Sequence, residues 1–325
     1  MTLTIEEISQ NSNDEAVSAL ISPTPPFDFK QSMKSLKESG AIDQTDVLDE
    51  NLDWLERPLL LNGKPFLVRL TNFSTNQAEP RLQLTLWADD NAAEPPNEAD
   101  LRLAAEWANR RFFLDVDMEK VREALKVDSY GEELSAIYWP SRPGNLGGAW
   151  EGLLKTVISN QVYPGLAVQL QKGLLAFYGS LALFKGKEYR LFPSVEKLAA
   201  LQPDDLLGMK FSRQKASYLP GIAQMIEANP DRFDFERLRG LPGEEAVAIL
   251  DELPGVGPWT AHYVAMHGLP HLDVFIDEQG LRKTLGVAYN HPATLSNDEF
   301  SNLTKIFAPY RTFACYYTYM KMYNV

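Results

Sequence analysis

The chain has 325 residues, enough for about two domains, and with 45% hydrophobic and 23% charged residues its composition is that of an ordinary globular protein. One cysteine, Cys315, excludes an internal disulfide framework and a four-cysteine zinc or iron–sulfur site, and the four histidines form no HExxH pattern, so no side-chain metal site and no cofactor are expected. The formal net charge of −13 argues against a nucleic-acid partner until its distribution is read: residues 1–140 carry 13 Lys and Arg against 26 Asp and Glu, whereas 141–325 carry 18 of each.

The second part of the chain is therefore neutral, and it could hold phosphate only through directed contacts such as backbone amides. No run of about 18 apolar residues occurs, so no membrane span is expected. The opening MTLTIEEISQ lacks the basic region and apolar core of a secretory signal. A cytoplasmic monomer is the expectation, associated with the nucleoid if bacterial.

Residues 1–24 are polar and acidic and read as a disordered tail. PTPPFDFKQSMKSL reads as an extended entry into a short helix, and DVLDENLDWLERP as an acidic surface stretch. In PLLLNGKPFLVRL, Asn62-Gly63 stands between two apolar runs, a strong hairpin signal. RLQLTLWADD alternates, with Leu82, Leu84 and Leu86 on one face. Residues 25–97 are thus expected to form a small α+β domain with an antiparallel sheet. From residue 98 the period turns helical, and residues 98–325 are expected to form an all-helical domain, which makes the chain mainly α. WEGLLKTVIS places Trp150, Leu153, Leu154, Val157 and Ile158 on one stripe. A second helix follows Pro164 and stops at Gly179, and Ser296 with Glu299 forms a capping box before FSNLTKIF.

LPGVGPWTAHYV lies between two helical segments. Gly255 and Gly257 permit a tight turn with positive φ. Such a turn at the start of a helix presents N–H groups to an anion without any side-chain charge. The bland alternative is a simple helix–helix connection. The longer string resembles the helix-hairpin-helix of the base-excision DNA glycosylase superfamily. WEGLLKTVISNQV, GMKFSRQKASYLPGIA and FAPYRTFACYYTYM match, in order, its 3-methyladenine DNA glycosylase II branch, and the resemblance covers about residues 25–325.

The resemblance implies an enzyme that flips a damaged base out of double-stranded DNA and cleaves its N-glycosidic bond. Alkylated purines of the 3-methyladenine and 7-methylguanine type are the implied substrates. It assigns DNA contacts to Gly255, Val256, Gly257 and Thr260, and a monovalent cation to the backbone carbonyls of 252–257. Bifunctional relatives carry a Schiff-base lysine where this chain has Trp259, which implies a monofunctional enzyme without lyase activity. The catalytic aspartate of the branch opens a D-x-G-L-R-K string, three residues before a buried Leu, and that string here reads Glu278-Gln279-Gly280-Leu281-Arg282-Lys283. Helical register puts Glu278 in that slot, whereas counting forward from Phe275 favours Asp277, and the choice stays open at this point. Both could also be ordinary carboxylates at a helix N-terminus. Trp259 and Tyr263 share a helix face and, with Tyr319, are implied to line the base pocket, although most of the aromatics in YRTFACYYTYM read as core. Gln161 is implied to be the wedge that fills the gap left by the flipped base, and Arg213 and Lys215 are candidates for a phosphate contact. Two other functions fit the same residues: a catalytically impaired protein that recognises damaged DNA, and a glycosylase for another lesion such as hypoxanthine.

Overall fold

The computed structural model describes residues 3–11, 16–38, 42–291 and 294–323. The chain opens with β1 (Thr4–Asn11), β2 (Ala16–Ser22), α1 (Phe29–Glu38), β3 (Val47–Leu48), β4 (Trp54–Leu61), β5 (Lys64–Asn72) and β6 (Leu82–Ala88). It continues with α2 (Glu98–Phe112), α3 (Met118–Leu125), α4 (Ser129–Tyr138), α5 (Ala149–Ser159), α6 (Pro164–Tyr178), β7 (Ser180–Phe184) and β8 (Lys187–Leu191). Next are α7 (Val195–Ala199), α8 (Pro203–Leu207), α9 (Arg213–Ala228), α10 (Phe235–Gly240), α11 (Gly243–Leu250) and α12 (Pro258–His267). The last three are α13 (Gln279–Ala288), α14 (Asn297–Lys305) and α15 (Arg311–Tyr323). The chain is mainly α with one antiparallel sheet of six strands, as expected.

Two compact units form: the described residues up to Val116 with Ile158–Glu227, and Asp117–Val157 with the described residues from Ala228 on. The boundary expected at 97/98 is not a break. α2 packs on β2, β4 and β6 and belongs with the sheet.

In the first unit the strand order is β1-β2-β6-β5-β4-β3. The alternation of β6 decides its centre: Leu82, Leu84 and Leu86 are fully buried. Asn62 and Gly63 both take positive φ, 48° and 76°, and join Leu61 to its partner Lys64 in a two-residue hairpin. Two expectations fail here. The disordered tail is wrong for its described residues, because β1 and β2 are sheet strands. Ala16, Val17, Ala19 and Ile21 are buried, and β2 pairs with β6 from Ala16 to Ile21. The acidic average of the segment hid that short apolar run. DVLDENLDWLERP is not simply surface either. The Arg57 guanidinium is fully buried 2.8 Å from Asp46, which also meets the buried Arg111 at 3.2 Å. The all-helical expectation is interrupted by the β7–β8 hairpin, whose Ala182, Phe184 and Leu191 bury against Leu67 and Trp87.

The second unit is helical. Leu153, Leu154 and Val157 of α5 are buried along the expected stripe, and Trp150 is half-buried. Ser296 caps α14 with the expected reciprocal Glu299 bond. α15 packs on α4 and α13, burying Phe313, Ala314, Cys315, Tyr317 and Thr318. α11 and α12 lie side by side, joined by residues 251–257.

Candidate active site

The α11–α12 connection is anchored by Leu253 and Val256, both buried, and the Val256 N–H donates to the Leu253 carbonyl at 3.0 Å. Gly255 takes φ 72°, the left-handed region that favours glycine. Gly257 does not: its φ is −107°, ordinary extended backbone, so only one of the two expected positive-φ glycines is required as glycine. Gly257 is the N-cap of α12 without a side-chain cap bond, and Pro258 follows at the first helical position, where its missing N–H costs nothing. The side chains of Val256 and Thr260 are buried, which leaves those residues only backbone groups to offer a ligand. The Leu253 and Gly257 carbonyls each accept one in-chain N–H, so each keeps a second lone pair with which a monovalent cation could be held.

The two adjacent carboxylates at the start of α13 have different company. Asp277 is exposed, and its two oxygens accept from the Nε and Nη2 of Arg282, at 2.6 and 2.5 Å. Arg282 is itself fixed by the Leu295 carbonyl at 2.6 Å and lies 4.6 Å from the Phe300 ring. Glu278 is the N-cap residue of α13 by backbone position, yet its side chain caps nothing. It turns instead toward α12 and α15. Its Oε2 accepts the Trp259 indole N–H at 2.9 Å and the Tyr319 hydroxyl at 2.5 Å. Among the described residues no donor reaches Oε1. Bonds to a charged acceptor of this kind contribute about 1.5–3 kcal/mol each.

Helical spacing builds the wall beside this carboxylate. Trp259, Tyr263 and His267 succeed one another at i, i+4 and i+8 on α12. The Trp259 and Tyr263 rings stack at 5.0 Å and 22°, and the Tyr263 and His267 rings lie 4.5 Å apart. Burial, with the charge of Glu278 adding to it, pushes the Tyr263 hydroxyl up to about 12. Burial first, then Cys315 and Glu278, pushes the Tyr319 hydroxyl far higher, so it remains a donor at any working pH. Burial pulls His267 down to about 4 although its Nδ1 bonds the Gly144 carbonyl at 2.7 Å. The result is one carboxylate held by two neutral donors against a face of aromatic rings.

No family model matches the chain. Over 234 residues it is 26% identical to the DNA-3-methyladenine glycosylase of Bacillus subtilis (strain 168), covering 72% of this chain and 77% of that one. In sequence the chain is similar to DNA-3-methyladenine glycosylases. Solved helix-hairpin-helix DNA glycosylases share its fold. The 3-methyladenine DNA-glycosylase from Archaeoglobus fulgidus superposes with a TM-score of 0.72 at 19% identity, covering 94% of this chain and 98% of that one. The apo 8-oxoguanine glycosylase/lyase of Clostridium acetobutylicum does so with 0.69 at 17% identity, over 98% and 99%.

Within this glycosylase fold the remaining sequence candidates separate. Gln161 is exposed on the turn after α5, with a positive φ of 55°. Arg213 is exposed at the start of α9. Lys215 is no surface phosphate contact. It is 9% exposed, and its ammonium donates to the Ile158 carbonyl and, at 2.6 Å, to that of Asn160. Burial lowers its pKa. Sequence reasoning missed Arg282, because an i, i+5 pair across a helix start follows no helical spacing rule. It also missed His267, although the i+4 step from Tyr263 was open to reading.

Proposed function

We propose that this protein is a monofunctional DNA glycosylase that hydrolyses the N-glycosidic bond of alkylated purines, of the 3-methyladenine and 7-methylguanine type, with Glu278 as the reacting carboxylate. The observation that carries this choice is the contrast between the two acids. Arg282 engages both oxygens of Asp277, whereas Glu278 meets Trp259 and Tyr319 and, among the described residues, has one oxygen that no donor reaches.

The chemistry asks for little more. As the base departs, the electron pair of the C1′–N bond goes to the base and the sugar becomes cationic. A fixed carboxylate stabilises that cation, and water adds to C1′ and loses its proton to solvent. An alkylated purine carries a positive charge, so it leaves as a neutral base without a proton donor. Aromatic rings such as Trp259, Tyr263 and Tyr319 attract that charge by about 0.5–2 kcal/mol. The names of the relatives support this substrate class.

Trp259 supports the hydrolytic mode. A lyase needs an amine that attacks C1′ and forms a Schiff base, and indole nitrogen is no nucleophile. The fold is shared with a glycosylase/lyase, so the mode turns on the residue at this position and not on the architecture.

The test is release of free bases from methylated duplex DNA, followed by chromatography, with borohydride present in a parallel reaction. The parent should release methylated purines and leave no trapped protein–DNA adduct. A trapped adduct would establish a lyase. No release, with binding to an abasic-site analogue intact, would leave a protein that recognises damaged DNA without repairing it.

A further inference from the structure

We infer that Lys215 is a positioning residue for Gln161, holding the turn that presents this side chain to DNA. The inference rests on the reading of Gln161 as the wedge that fills the gap left by the flipped base.

The helix α5 ends at Ser159, and its last carbonyls have no partner within the helix. An ammonium at that end complements both the carbonyls and the helix dipole. Lys215, in the first turn of α9, supplies it: Nζ donates to the carbonyls of Ile158 and Asn160, which flank Ser159. The Ser159 hydroxyl accepts the Gln171 side-chain amide at 3.2 Å, so a second element holds the same end. Gln161 directly follows Asn160. Its φ of 55° lies in the left-handed region, which a residue with a side chain keeps only where its surroundings impose it. The lysine is buried while the glutamine beside its grip is exposed. A buried ammonium cannot give up both carbonyls without being stranded, so the grip is stiff. The direction in which Gln161 leaves the backbone is therefore set by a lysine 54 residues later in the chain.

A double-mutant cycle tests this in the full chain. The parent, Gln161→Ala, Lys215→Met and the double variant are compared by single-turnover release of methylated purines. They are also compared by the fluorescence of 2-aminopurine placed beside an abasic-site analogue, which reports unstacking on binding. Displacing a wedge by about 1 Å can cost on the order of a hundredfold in rate, so Lys215→Met should slow release by at least about tenfold. The double variant should be no slower than Gln161→Ala, because the lysine acts through the glutamine. The fluorescence gain should fall in Lys215→Met and return in Lys215→Arg, whose guanidinium can reach the same carbonyls. A merely structural lysine would not produce that pattern.

Multiplying losses would show that Lys215 acts on something other than Gln161 and would overturn the inference. An unimpaired Gln161→Ala would remove the wedge and the inference with it. If the parent releases no base, the fault lies in the enzyme reading, and the fluorescence cycle alone decides. Should Lys215→Met not fold, Lys215→Gln takes its place: it has a polar end for the site but is too short to span both carbonyls.

Discussion

Glu278 and Trp259 stand 19 residues apart and are joined by a 2.9 Å hydrogen bond from the indole N–H to Oε2. The bond ties the start of α13 to the first turn of α12, next to the glycine turn. Tyr319 brings α15 to the same oxygen. Three helices thus converge on one carboxylate, and its neighbour Asp277 is left on the outside with Arg282.

The first prediction follows from that difference. Glu278→Gln removes the charge and should lower base release by at least about a hundredfold, as losses of electrostatic stabilisation do. Asp277→Asn should keep most of the activity and cost some stability, because it weakens the clasp of Arg282. Purine release measured side by side decides it. The reverse ranking would hand the role to Asp277.

Tyr319→Phe keeps the ring and deletes the donor to Glu278. A lost bond to a charged acceptor is worth about 1.5–3 kcal/mol, so release should slow by roughly ten- to a hundredfold. Affinity for an abasic-site analogue should be almost unchanged. An equal loss of affinity and rate would point to packing instead.

The two hairpin glycines should respond differently. Gly255→Ala forces a Cβ into φ 72°, at about 1–2 kcal/mol, and should weaken DNA binding by distorting the turn. Gly257→Ala meets open space at an ordinary φ and should be close to neutral for stability. Denaturant midpoints and affinity for duplex DNA give both readings, and equal effects would contradict the assignment.

His267 makes the fold sensitive to acid. Its folded pKa is depressed to about 4 from 6.5, so below pH 6.5 the unfolded chain binds a proton that the folded chain refuses. Stability is lost as pH falls across that window. His271, lowered by burial, acts in the same sense. His262 acts in the opposite sense: burial opposes its charge, but hydrogen bonds to Glu244 and Pro258 raise it. His267→Gln should therefore lose less stability than the parent between pH 6.5 and 4, measured by denaturant unfolding. Parallel pH curves would mean that the ring is solvated.

Much of the architecture was legible because it rests on local rules. Asn62-Gly63 demands a turn of two positive-φ residues, the leucines of β6 alternate, and Ser296 with Glu299 closes a helix start. The misreadings have one origin. The opening strands, Asp46 with Arg57, and the β7–β8 hairpin owe their places to partners far along the chain. β2 is covered by β6, Asp46 by Arg111, and the hairpin by Leu67 and Trp87. Averaged composition over a window does not register such partners.

The sequence by itself determined the hairpin motif, a tryptophan in place of any amine at position 259 and the presence of two candidate acids in adjacent positions. Only the tertiary structure separated those acids. Neighbouring residues point in different directions at a helix start, and what each meets depends on which distant side chain arrives there. Arg282 and Asn297 come to the Asp277 side, and Trp259 and Tyr319 to the Glu278 side. Lys215 follows the same logic: its charge suggested a phosphate, but the fold had already set two helix-end carbonyls against it.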